Sequence, residues 1–166
     1  MKSKGFTLVE VIVVIAIIAI ILSVAALNFK DFKDKADTEK QTRELHSDIT
    51  NVRLNALQNK QRSALMLGPQ QYIYKTYSSE SEPPSNGTDV RTGSYRYEVR
   101  QLTGTGTLAP LDITVDRIEF DSRGFANADT TLVVTPVTHS GGLDCIVVQT
   151  ARTSIGRMEN ATCRIQ

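Results

Sequence analysis

Between Gly5 and Gly68 the chain contains neither a glycine nor a proline. That absence removes the usual helix breakers and allows one continuous helix from Phe6 to about Gln61, on the order of 80 Å long at 1.5 Å per residue. Tryptophan is missing altogether, and histidine is limited to His46 and His139. Cysteine occurs only as Cys145 and Cys163, whose spacing to each other and to the histidines matches no zinc pattern. The two thiols are open to three readings, a metal half-site, a redox pair or a disulfide, and the last applies if the domain lies outside the cytoplasm. Such a bridge closes a short loop and contributes roughly 3 kcal/mol. An excess of charge is also lacking. Nineteen basic residues face eighteen acidic ones, a net +1, which is unlike a dedicated nucleic-acid binder. No GxSxG, P-loop, Cys–His arrangement or metal triad is present, so the chain is expected to be neither an enzyme nor a cofactor carrier. Asp112, Asp116, Asp121, Asp129 and Asp144 are scattered and suggest no calcium cage.

What is present divides into zones. Residues 1–5, MKSKG, are short and basic, and residues 6–27 form an apolar run. From 28 to about 62 the chain is charged but periodic. Phe29, Phe32, Ala36, Leu45, Ile49, Val52 and Ala56 step mostly by three and four, which predicts an amphipathic helix. Asp31 with Lys35 and Glu39 with Arg43 are i,i+4 pairs on its exposed side. Strands are predicted at 64–67, 72–77, 95–102, 113–120, 131–137, 145–150, 154–158 and 162–165, with polar loops at 78–93 and 103–107. Ile118 and Phe120 read as strand-core residues, Gly124 as the positive-φ residue of a turn, and "CIVV" (145–148) as a buried strand. The fold class expected is α+β, a long N-terminal helix laid against an antiparallel sheet.

From Val11 to Leu27 the only polar residue is Ser23, yet Glu10 stands at the head of that run. A carboxylate in hydrocarbon costs about 2.5–3.5 kcal/mol, so it requires a partner or a role. A secretory signal peptide would explain the basic start, the apolar core and the small residues of "SVAA" (23–26), and a plain membrane anchor would explain the run. Neither explains Glu10 or the smooth passage into an amphipathic helix.

"KGFTLVEVIVVIAIIAII" resembles the N-terminus of type IV pilins and of the pseudopilins of type II secretion. Lys2, Lys4, Gly5, Phe6, Thr7, Leu8, Glu10 and the apolar run carry the likeness. The resemblance implies that prepilin peptidase cuts between Gly5 and Phe6 and N-methylates Phe6. Residues 1–5 are then the leader, 6–27 a transmembrane and filament-core segment, and 28–166 a periplasmic domain (a helix at 28–62 and a sheet region at 63–166). It further implies that Glu10 neutralises the new Phe6 amine, its own or a neighbour's, and so guides incorporation into the filament. Loss of Lys2 and Lys4 leaves seventeen basic against eighteen acidic residues. The implied location is the bacterial inner membrane, single-pass, and later the filament. The implied partners are other pilins, the inner-membrane assembly platform and prepilin peptidase. An oxidising periplasm makes a Cys145–Cys163 disulfide the expected state.

Three later segments resemble H-type minor pseudopilins and FimT-like minor pilins: "LHSDITNVRLNALQNKQRSALML" (45–67), "RIEFDSRGFAN" (117–127) and "CIVVQTARTSIGRMENATC" (145–163). The stretches near 78–93 and 103–112 have no such likeness. That branch includes DNA-uptake receptors with C-terminal arginines, and the matching candidates are Arg152, Arg157 and Arg164, with Arg123 near. DNA is therefore an alternative partner. Glu159, standing where such a receptor carries another basic residue, and the near-neutral domain weigh against it.

Overall fold

A computed structural model describes residues 6–137 and 142–166, with the side chains of 24–28 also outside the description. Lys2, Lys4, Gly5 and His139 lie beyond it. Helix α1 runs from Leu8 to Asn59. The Thr7 hydroxyl accepts the Glu10 N–H at 3.3 Å and caps its start. Its end is set by Lys60, whose φ of 55° is left-handed, and by the Gln61 N–H donated back to the Ala56 carbonyl at 3.3 Å. That is a Schellman closure, and it stops the helix just short of Gln61 without glycine.

The chain forms two compact units, 1–35 and 36–166. In the first, the described apolar side chains from Phe6 to Leu22 are exposed. Phe29 and Phe32, expected on the packed face, are 66% and 67% exposed, and among the described residues of that unit there is no strand to cover them. Among the described residues no helix is long and apolar enough to cross a membrane. The described side chains of the apolar run end at Ser23.

In the second unit the buried face of α1 is Thr38, Gln41, Thr42, Leu45, Ile49, Val52 and Ala56. Ten strands, among the described residues, make two antiparallel sheets. The four-stranded sheet has the order β3-β2-β1-β6 and contains Ser63–Leu67 (β1), Gln71–Thr76 (β2), Thr88–Ser94 (β3) and Arg117–Phe120 (β6). The six-stranded sheet has the order β10-β9-β8-β7-β4-β5. It contains Val99–Leu102 (β4), Leu108–Pro110 (β5), Thr130–Val134 (β7), Cys145–Val148 (β8), Thr153–Glu159 (β9) and Thr162–Ile165 (β10). One core serves both sheets and the helix, with Leu45, Ile49, Leu65, Phe120, Leu132 and Ile146 among its members.

Three departures from expectation have local causes. The polar stretch 78–93, read as a loop, contains most of β3. That strand lies at a sheet edge with nearly every side chain exposed, so it has no apolar face to announce it. The strand expected from Tyr95 begins only at Val99, because the helix takes the backbone before it. The Gln41 side chain donates to the Tyr97 carbonyl and accepts the Tyr97 N–H, both at 2.8 Å. The strand expected from Ile113 begins at Arg117, because the Asp112 carboxylate accepts the N–H (2.9 Å) and hydroxyl (2.7 Å) of Thr114 and closes a turn.

The disulfide joins Cys145 to Cys163 with Cα atoms 6.0 Å apart, tying β8 to β10 across β9. Gly156 lies opposite both Cys145 and Ile165. A Cβ there would come within 2.3 Å of the Arg164 carbonyl oxygen and 3.0 Å of Cys163 Sγ, so glycine leaves the space through which the bridge passes. Gly124 has φ of +77° in the turn after β6, and a Cβ on it would meet the Leu57 side chain at 2.6 Å.

Candidate assembly segment

The residues singled out at the N-terminus sit at the start of α1. Phe6 is 81% exposed, Thr7 supplies the cap, and Glu10 follows in the first turn. Phe6 lies just before the Thr7 cap, outside the helix, and Glu10 is four positions further along the sequence. Among the described residues Glu10 has no ion pair, and its carboxylate stands exposed among apolar neighbours. Its exposure leaves the carboxylate open to a cation. Gly5 lies outside the described residues.

The arginine candidates separate. Arg157 and Arg164 are opposite each other in the β9–β10 hairpin, and both bind Glu159, Arg157 through Oε1 and Arg164 Nε to Oε2 at 2.9 Å. One carboxylate thus offsets half of the charge that a phosphate would read. Arg152 is five residues from Arg157, about 17 Å along an extended chain, and donates to Gln149 Oε1 at 2.9 Å. Arg123 is held on Asp121 Oδ2 at 3.1 and 3.0 Å. Burial pushes the Asp121 carboxyl up, but the Phe125 N–H and Arg123 outweigh it and hold it below the usual range. All four arginines are thus engaged within the chain, three of them by a carboxylate.

His46 Nε2 lies 3.5 Å from the Thr153 carbonyl oxygen, half-buried on α1. Among the described residues no cluster of His, Cys, Asp and Glu suits a metal ion.

Sequence reasoning passed over a cleft of about 430 Å³ between α1 and the β2–β3 hairpin, lined by Asp48, Val52, Leu65, Tyr72, Val90 and Arg91 among others. Asp48 and Arg91 are 43 residues apart in sequence, and Arg91 lies in the stretch read as a loop. Only the three-dimensional register of β3 brings them together.

The capped, acid-bearing apolar start of α1 thus leads into a helix whose later residues pack on antiparallel sheets. Residues 1–26 match the prokaryotic N-terminal methylation motif. The chain thus joins a prokaryotic N-terminal methylation motif to a fold of the kind seen in type IV minor pilins. Its fold is similar to that of the type IV minor pilin FimU of Pseudomonas aeruginosa. In one crystal form the TM-score is 0.54 at 10% identity, covering 80% of this chain and 96% of that one. In a second crystal form the TM-score is 0.50 at 10% identity, covering 75% and 95%. At such identity the likeness is one of fold. No curated protein matches the sequence.

Proposed function

We propose that this chain is a non-enzymatic minor pilin or pseudopilin subunit. In this reading prepilin peptidase cuts between Gly5 and Phe6 and methylates the Phe6 amine. Residues 6–27 hold the chain in the inner membrane with residues 28–166 in the periplasm. The assembly platform then moves the subunit, with other pilins, into a type IV pilus or a type II secretion pseudopilus. The observation that carries the reading is the methylation motif running directly into an exposed apolar helix with one acid four residues after Phe6. Cleavage at Gly5 creates a cation where none stood, and Glu10 is the carboxylate within reach of it. In an apolar filament core, pairing the two removes an uncompensated charge from each, and breaking such a pair costs about 3–5 kcal/mol.

The test is Glu10→Leu at matched expression. The variant is expected to insert, to be cut, and to show a methylated Phe6 by mass spectrometry, but to recover partner pilins poorly in a pull-down from membranes. Equal recovery with intact piliation or secretion would remove Glu10 from assembly. A mature start after Ala25 or Ala26 would replace the whole reading with a secretory signal peptide.

A further inference from the structure

The cleft between α1 and β2–β3 has the composition of a guanidinium site that is only loosely filled. Its floor is apolar, from Val52 and Leu65, and one wall is the Tyr72 ring, against which Tyr95 stacks at 5.0 Å. Gly93 makes that wall possible. A Cβ there would fall 2.5 Å from the Tyr72 ring, so only glycine lets the ring lie over β3. A bulge shapes the rim. Tyr74 pairs with Arg91 and Lys75 with Asp89, which leaves Val90 as the extra residue and places Val90 and Arg91 together on the cleft. Val90 remains 54% exposed. The same bulge blunts the β3 edge against pairing with a foreign strand, so an occupant must enter by its side chains.

The polar groups here are incompletely used. Asp48 is 3.7 Å from Arg91, the guanidinium is 5.6 Å from the Tyr72 ring centre, and no hydrogen bond joins the pair. The Tyr95 hydroxyl is buried and, among the described residues, has no hydrogen-bond partner. Burial pushes the Asp48 carboxyl above its ordinary range against the pull of Arg91, and burial also raises the Tyr95 phenol, with Asp48 adding to it. A planar cation with five N–H donors suits a carboxylate beside an aromatic face.

We infer that this cleft receives an arginine side chain from a neighbouring pilin subunit, its guanidinium pairing with Asp48 and lying on the Tyr72–Tyr95 stack in place of Arg91. The identity of the partner rests on the assembly reading above; the chemistry of the site does not. The test therefore uses the purified full-length chain in detergent, with N-acetylarginine amide as probe and the tyrosine ring NMR signals as readout. Saturable shifts at Tyr72 and Tyr95 are expected, with N-acetyllysine amide binding about fivefold more weakly. Arg91→Gln removes the resident cation and should tighten the arginine probe about tenfold, whereas Asp48→Asn should weaken it at least as much. No saturable shift in either the wild type or Arg91→Gln, or equal binding by Asp48→Asn, would overturn the proposal. Because filament assembly plays no part in this measurement, its failure is separable from a failure of the Glu10 pull-down.

Discussion

The two halves of α1 are both rich in aliphatic residues, but they use them differently. In the half from Leu45 to Ala56 they recur on one face, and Leu45 and Ile49 are fully buried in the core of the second unit. From Leu8 to Leu22 they cover every face, and Ile17, for example, stays 53% exposed. A one-sided stripe is the mark of a helix that packs within its own chain, whereas a helix apolar all round belongs inside something larger. An exposed surface of that kind is a contact surface for lipid or for other chains. Residue type alone therefore does not say what a residue does here; the angular spread around the helix does. Polar residues draw the same contrast, since Thr38, Gln41 and Thr42 are buried beside the stripe, while Glu10 stands in the open.

That contrast is most directly broken by truncating one isoleucine in each half. Ile49→Ala should cost about 2–5 kcal/mol in denaturant unfolding of the full-length chain, because it opens a cavity in a closed core. Ile17→Ala should leave that unfolding transition unmoved and show its effect only in recovery with partner pilins. A loss of domain stability from Ile17→Ala comparable to that from Ile49→Ala would mean that the first half packs within the chain after all.

Removing the disulfide sharpens the same division. Cys145→Ala together with Cys163→Ala frees a loop of sequence separation 18 and should lower stability by about 3 kcal/mol. On the proposed reading, processing at Phe6 should continue unchanged, since that residue lies in the other unit. A double variant that unfolds normally but accumulates uncut would reverse the assignment of roles.

How far the chain could be read in advance follows from the same physics. The helix was legible because Gly and Pro are absent from 6–67, and its last residue differs by two because Lys60 adopts a left-handed φ without being glycine. Alternation exposed "RIEF", and strands were placed at 154–158 and 162–165, but β3 left no trace, because an edge strand with almost no buried side chain has no periodicity to detect. The N-terminal residues were legible as a local motif. The Asp48–Arg91 cleft was not, since it depends on a bulge and on a register between segments far apart in the chain. Glu159 was visible as a departure from a basic pattern, but its binding of both Arg157 and Arg164 needed the hairpin register.

The smallest effect expected concerns an acid in the packed part of α1, and it bears on whether Asp48 is a stabilising partner of Arg91 or a carboxylate held at a cost. The folded protein raises the Asp48 carboxyl, chiefly by burial and despite Arg91. An acid raised on folding binds its proton more tightly in the native state than in the unfolded chain. Stability therefore falls as pH rises from the ordinary carboxylate range through the raised value, and the cost is fully present at neutral pH and absent well below both. Asp48→Asn removes the charge at every pH, so it should be as stable as the wild type or slightly more so at pH 7. That gain should stay under about 1 kcal/mol, because the group is half-buried and solvent screens it. At pH 3 the difference should shrink towards zero, where Asp48 is protonated in both states. Paired denaturant titrations at the two pH values give the sign. If Asp48→Asn is less stable than the wild type at pH 7 and the deficit disappears at pH 3, the Asp48–Arg91 pair is a net stabilising contact, and Arg91 is a settled occupant of the cleft instead of a displaceable one.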